Sequence, residues 1–112
     1  MHDQSIAELG AGLRAKRFSS RELTEHFVGR IERLDPALNS CITLSRDAAL
    51  ATADTADARI AAGDAGPLTG IPILHKDIFL TRGVRTTCGS RMLDNFIAPF
   101  DATVVERLAA AG

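Results

Sequence analysis

The sequence has few of the residues that mark specialised classes of protein. It contains no tryptophan and no tyrosine, and only two cysteines, Cys41 and Cys88, in 112 residues. The cysteines are far apart and form no CxxC pair, so the sequence predicts neither a disulfide framework nor a zinc site. The three histidines are also scattered, which gives no metal-ligand spacing. A reducing compartment is the simplest interpretation.

Strong charge and long apolar runs are missing as well. The formal net charge is -1, from 13 basic and 14 acidic side chains, so charge gives no reason to expect tight phosphate or nucleic-acid binding by this segment. No run approaches the roughly 18 apolar residues that span a bilayer. The N-terminal "MHDQSIAELG" has early acidic residues and no apolar core, unlike a secretory signal peptide. We therefore expect a cytoplasmic location and no membrane partner.

Two capping boxes predict the first two helices. The motif "SIAE" begins at Ser5 and "SSRE" begins at Ser19. In each motif the serine can accept a hydrogen bond from a helix amide, and the glutamate can reach back to the serine amide. The first helix is predicted to end near Lys16. The second is predicted to end before Pro36, because a proline disfavours helical geometry at the residue before it.

The remaining pattern alternates strands with helices, which indicates an α/β fold. A sheet built from so few strands would have unpaired edges. The fold is therefore expected to be incomplete within these residues. The first predicted elements after the second helix are a short strand at 40–45 and an alanine-rich helix from Asp47 to about Ala62, which Gly63 stops. A loop at 63–70 then leads into a strand in "GIPILHKDIF" (Gly70–Phe79). A second short strand within 81–100 and a helix capped by Asp101 and stopped by Gly112 complete the prediction.

Lys76 is the most informative residue of the chain. Strand alternation places it in an apolar row with Leu74 and Ile78, where its ammonium group would lose hydration and its neutral, basic form would be favoured. Its position at the carboxyl end of an apolar run suits a ligand site. The alternative, which periodicity alone favours, is a lysine whose head reaches water. For His75 and Asp77, on the other face, we expect structural roles such as packing or bonding to loop amides.

Three stretches together resemble a known family. "GPLTGIPILHKDIF", followed by "GVRTTCGSRMLDNF" and "DATVVERLAAAG", is similar to the amidase signature enzymes, and within them to the A subunits of glutamyl-tRNA(Gln) amidotransferases. The similarity extends over essentially the whole chain. It implies a fold of helices packed on a mixed β-sheet, in which residues 1–112 are the N-terminal segment of a single amidase domain whose remainder is absent.

The resemblance also implies a chemistry. Lys76 would be the base of a Ser-cisSer-Lys triad that hydrolyses glutamine to glutamate and ammonia, with both serines and the substrate pocket outside this chain. No cofactor or metal is expected in this subunit. In such complexes a B subunit uses ATP and Mg²⁺ to amidate glutamate on tRNA(Gln), or aspartate on tRNA(Asn), and a C subunit clasps the A subunit.

Two other functions stay open from the sequence. The chain could belong to another amidase signature enzyme that hydrolyses a different amide. It could also be a non-catalytic interaction module that makes helical contacts with the C subunit. In either case the isolated chain is expected to be inactive, and Lys76 to be more hydrated than it would be under a complete sheet.

Overall fold

The structure, a computed structural model, describes all 112 residues. It contains four α-helices, one 3-10 turn at Arg91–Leu93 and no β-strand. Residues between the third and fourth helices follow an irregular path. The helices are α1 (Ile6–Arg14), α2 (Ser20–Leu38), α3 (Arg46–Ala61) and α4 (Thr103–Ala111).

Both predicted capping boxes are formed. At the start of α1 the Glu8 amide donates to Ser5 Oγ (3.3 Å), and the Ser5 amide donates to the Glu8 carboxylate (2.8 Å). At the start of α2 the Glu22 amide donates to Ser19 Oγ (3.0 Å), and the Ser19 amide donates back to Glu22 (2.7 Å). The helix starts are therefore set by side chains within four residues of each other.

The predicted end of α2 is wrong. The helix passes through Pro36 and continues to Leu38. Asn39 then adopts a left-handed conformation (φ 50°), and its amide donates to the Asp35 carbonyl (2.7 Å). The Asp35 carboxylate accepts the amides of the two residues after Asn39, and the Ser40 hydroxyl and these amides lower the pKa of Asp35. The left-handed cap at Asn39 and the hydrogen bonds to the Asp35 carboxylate therefore stabilise this end of the helix despite Pro36.

The predicted strands are also wrong, so the α/β sheet does not occur within this chain. Residues 40–45 and Gly70–Phe79 have no ladder partner. A strand needs a ladder of backbone hydrogen bonds with a neighbour, and the only backbone bonds from Gly70–Phe79 to other segments are single ones, from Gly70 to Gly112 (2.7 Å) and from Cys88 to Asp77 (2.8 Å). The apolar patterns correctly indicate non-helical segments, but a pattern cannot supply the missing neighbour.

The second short strand predicted within 81–100 is reduced to one antiparallel bridge. Arg85 pairs with Ile97, and the flanking backbone bonds join Gly83 to Ala98 (2.8 Å) and Thr86 to Phe96 (3.0 Å). This short pairing draws the irregular segment back on itself, which places the loop at 87–95 at its far end.

A small apolar core holds the helices together. Leu9, Leu13 and Leu23 form its buried centre, against which Phe27, Ile60 and other half-buried side chains pack. The predicted alanine face of α3 is confirmed, because Ala53 and Ala56 are buried where α3 packs on α2. Small side chains at these positions allow the two helices to approach closely.

Ser20 connects three parts of the fold. Its amide donates to Asp57 of α3 (2.7 Å), and its hydroxyl donates to the Gly70 carbonyl (2.9 Å). Gly70 has φ +83°, and a Cβ there would lie 3.0 Å from the Ser20 side chain, so both the conformation and the space require glycine. The buried serine therefore fixes where residues 70–80 leave the helical layer.

The start of α4 differs slightly from its prediction. The N-cap is Ala102, without a side-chain hydrogen bond, while Asp101 accepts the amide of Arg82 (2.6 Å) and so anchors the irregular segment. Gly112 follows the helix as predicted. None of the helices combines the length and the apolar character that crossing a membrane requires.

Asp57→Ala is expected to lower the free energy of unfolding by about 2 kcal/mol, because its carboxylate accepts the amides of Ser20 (2.7 Å) and Arg21 (3.1 Å) at the N-terminus of α2. Asp54→Ala is the matched control on the same helix, since it removes only an exposed ion pair with Arg21. Urea unfolding followed by circular dichroism measures both, and equal losses would contradict the capping role of Asp57.

Candidate functional site

Lys76 lies at the start of a turn that the Phe79 amide closes on the Lys76 carbonyl (3.0 Å). Its side chain is exposed and makes no hydrogen bond or ion pair, as expected for a lysine not covered by a complete sheet. Its predicted row neighbours are exposed too, Leu74 by 69% and Ile78 by 47%. His75 is half-buried and also makes no side-chain hydrogen bond.

Asp77 binds the loop that follows the antiparallel bridge. Its carboxylate accepts the Thr87 amide (3.1 Å) and the Thr87 hydroxyl, and its backbone carbonyl accepts the Cys88 amide (2.8 Å). The expectation that Asp77 bonds to loop amides is therefore confirmed. The residue next to Lys76 is attached to this loop at three points.

The loop is a tight turn at Thr87–Ser90. Cys88 and Gly89 both have positive φ (53° and 67°), and the Ser90 amide donates to the Thr87 carbonyl (2.9 Å), which is the pattern of a type I′ turn. The Gly89 amide also donates to Thr87 Oγ1 (3.1 Å). Thr87 is 3% exposed, so its hydroxyl exchanges hydrogen bonds only inside this network.

The electrostatics of Asp77 follow from this network. Burial, the largest single effect, favours the neutral carboxyl and opposes ionisation. The hydroxyl and amide of Thr87, the Gly89 amide and the charge of Arg85 together outweigh burial, so the pKa of Asp77 lies below its usual 3.8. The ionised form of the carboxylate is therefore stabilised by the donors of this turn.

A shallow pocket of about 170 Å³ opens beside the same turn. Its hydrogen-bonding groups are mostly engaged already: the Arg85 guanidinium pairs with Asp94 and donates to Thr43 Oγ1 (3.2 Å). No three His, Cys, Asp or Glu side chains converge anywhere as a metal site would require. The pocket is lined by Ile42, Arg85, Thr87, Gly89, Ser90, Arg91 and Asp94.

The sequence indicated Thr87 only as one polar residue of a loop with Gly83, Gly89, Thr86 and Ser90, and it indicated neither the bond of Thr87 to Asp77 nor the role of Arg85. Thr87 lies ten residues from Asp77, and nothing in the periodicity links them. Arg85 connects the bridge to Thr43, 42 residues earlier. The available signal was the threonine pair before a Cys-Gly turn, which suits a buried hydroxyl beside a positive-φ turn.

Comparison with known proteins identifies the class. A family model described as Amidase matches residues 22–112, which is most of the chain. The chain belongs to the amidase family.

Within that family the chain is similar to one kind of protein. It is 64% identical over all 112 residues to the A subunits of the glutamyl-tRNA(Gln) amidotransferases from Alkalilimnicola ehrlichii and Methylococcus capsulatus, and 59% identical to the one from Pseudomonas syringae pv. tomato. The chain spans 23% of the length of each of these relatives. The resemblance noted in the sequence is therefore confirmed over the whole chain.

A solved structure shares the backbone path. It is described as a vestigial protein complex that reveals the evolutionary origins of an s-triazine catabolic enzyme, and it superposes with a TM-score of 0.92 at 33% identity, over 97% of this chain and 24% of the other. The irregular segment between α3 and α4 is thus part of a shared amidase fold.

The Thr87 amide proton is expected to report the titration of Asp77. Because the folded pKa of Asp77 is lowered, its contribution to stability is complete above pH 3.8 and is lost as the pH falls through the lower folded value. In a ¹H-¹⁵N NMR titration the Thr87 resonance should shift upfield with a midpoint below 3.8. Asp77→Asn should abolish the shift, and a midpoint at or above 3.8 would contradict the network.

Proposed function

We propose that this chain is the N-terminal part of the glutaminase subunit of a tRNA-dependent amidotransferase, with Lys76 as its catalytic base. The observation that carries the proposal is the 64% identity to A subunits across the full chain. The geometry around Lys76 supports it, since the amine is free of partners while the residue after it is held firmly.

We further propose that residues 1–112 form one segment of a single amidase domain, in which residues 70–80 join a mixed β-sheet. Support comes from the exposed apolar side chains of this segment, among them Ile73 at 50% and Leu74 at 69%. A monomeric protein seldom leaves such side chains uncovered in a row. The chain length of the relatives is sufficient to provide the covering strands.

In the proposed reaction Lys76 acts as a neutral amine. It takes a proton, through a cis-serine, from a nucleophilic serine that attacks the side-chain amide carbon of glutamine. The C–N bond breaks as the proton returns from Lys76 to the leaving nitrogen, which departs as ammonia. Water then hydrolyses the acyl-serine to glutamate and restores the serine hydroxyl. Both serines would come from parts of the domain outside these 112 residues, so the chain alone has no glutaminase activity. Covering the segment would desolvate the amine and favour its basic form.

The partners follow from the same proposal. Ammonia would pass to a B subunit that uses ATP and Mg²⁺ to amidate glutamate on tRNA(Gln), or aspartate on tRNA(Asn), while a C subunit clasps this one in the cytoplasm. No cofactor is assigned to this subunit.

A second candidate is hydrolysis of a different amide, which the 33% identity to a protein linked to s-triazine catabolism favours. The higher identity to A subunits weighs against it.

The third candidate, a non-catalytic interaction module, predicts that the isolated chain pulls down purified B or C subunits. Failure to bind either would leave that candidate without support.

Lys76→Ala is expected to reduce ammonia release from glutamine by about 100- to 10 000-fold, because general-base transfer contributes that much. The test uses a chimera in which this chain replaces the matched segment of the Alkalilimnicola ehrlichii relative, and the chimera is assembled with the partner subunits of that relative. Arg33→Ala is the control, since Arg33 is also an exposed cation and lies in α2, outside the site.

Two results would contradict the proposal. One is a Lys76→Ala chimera as active as the Arg33→Ala chimera. The other is glutamine hydrolysis by the 112-residue chain itself. An unmodified chimera that is folded but releases no ammonia from glutamine would favour the second candidate, and a panel of small amides would then identify its substrate.

A further inference from the structure

We propose that Asp77 and Thr87 are positioning residues for Lys76. The inference rests on the proposed function, because it concerns how the base is held rather than which reaction occurs. The two side chains join the turn after Lys76 to the buried turn at Thr87–Ser90.

The first step of the argument is the freedom of the Lys76 side chain. It contacts no hydrogen-bond or ion-pair partner, so its amine depends on the backbone for its position. The backbone of Lys76 itself makes one hydrogen bond, in which its carbonyl accepts the amide of Phe79 (3.0 Å) and closes the turn. One local hydrogen bond does not fix a residue to the rest of the fold.

The second step is the attachment of the next residue. Asp77 is held through both of its carboxylate oxygens and its carbonyl, by Thr87 and by the Cys88 amide. Thr87 is buried and β-branched, and it also accepts the Gly89 amide, so its rotamer is fixed. The anchor is therefore rigid, and it is adjacent in sequence to the base.

The third step separates position from charge. Asp77 forms no ion pair with Lys76, and its carboxylate oxygens are occupied by Thr87. Hydrogen bonds to an ionised carboxylate are stronger than bonds between neutral groups, so these bonds hold Asp77 firmly on Thr87. Asp77 therefore affects the reaction by fixing the backbone position of Lys76. A displacement of about 1 Å at a reacting group can cost about 100-fold in rate.

The test compares three threonine variants in the chimera described above. Thr87→Val removes the hydroxyl that donates to Asp77 and accepts from Gly89, and kcat for glutamine is expected to fall about 10- to 100-fold while KM stays within about twofold. Thr87→Ser keeps the hydroxyl and should restore most of kcat. Thr86→Val, a buried neighbour whose hydroxyl bonds only to the Val84 carbonyl, should match the unmodified chimera.

A second variant distinguishes position from charge and keeps the test decisive if Thr87→Val does not fold. Asp77→Glu retains the negative charge but lengthens the side chain by one methylene, so it should lose kcat by a similar factor. Unchanged kcat in Asp77→Glu would overturn the proposal, as would a folded Thr87→Val chimera with the kcat of Thr86→Val. Failure of the proposed function would appear separately, as activity that survives Lys76→Ala.

Discussion

The hydrogen bonds of Ser20 are the constraint on which the arrangement of this chain depends. Its amide, bonded to the Asp57 carboxylate, sets the relation of α2 to α3, and its hydroxyl holds the carbonyl of Gly70. A carboxylate at a helix N-terminus accepts hydrogen bonds from amides that have no partner within the helix. Its negative charge also interacts favourably with the positive end of the helix dipole. Because the same serine holds Gly70, the helical layer and the segment that carries Lys76 are oriented by one buried residue.

The irregular half of the chain is organised by a second polar network rather than by a core. Asp77, Thr87 and the turn after it replace the packing that the short segment cannot provide, and Arg85 connects this network to Thr43. The two networks lie at opposite ends of Gly70–Phe79. This segment is thus fixed at its ends and exposed along its middle.

An element could be predicted correctly from the sequence when the residues that determine it lie close to one another along the chain. Ser5 and Ser19 predict helix starts correctly because a capping box lies within four residues. The predicted end of α2 is wrong because Asn39 and the Asp35 side chain, not Pro36, control it. The strands could not be predicted correctly from single segments, because a strand forms only where a second segment pairs with its backbone. Periodicity does not show the Asp77–Thr87 contact, and the role proposed for Lys76 was first suggested by the resemblance.

The exposed middle of Gly70–Phe79 has a consequence for synthesis. The helices α1 to α3 and the buried centre of their core, Leu9, Leu13 and Leu23, lie within the first 61 residues, so they can begin to pack soon after leaving the ribosome. In the longer amidase domain proposed above, Ile73, Leu74 and Ile78 would emerge next and would stay uncovered until its later parts arrive. At translation rates of roughly 5–20 residues per second this interval lasts many seconds. A chaperone that binds short apolar stretches would therefore meet this protein first at the segment that carries Lys76.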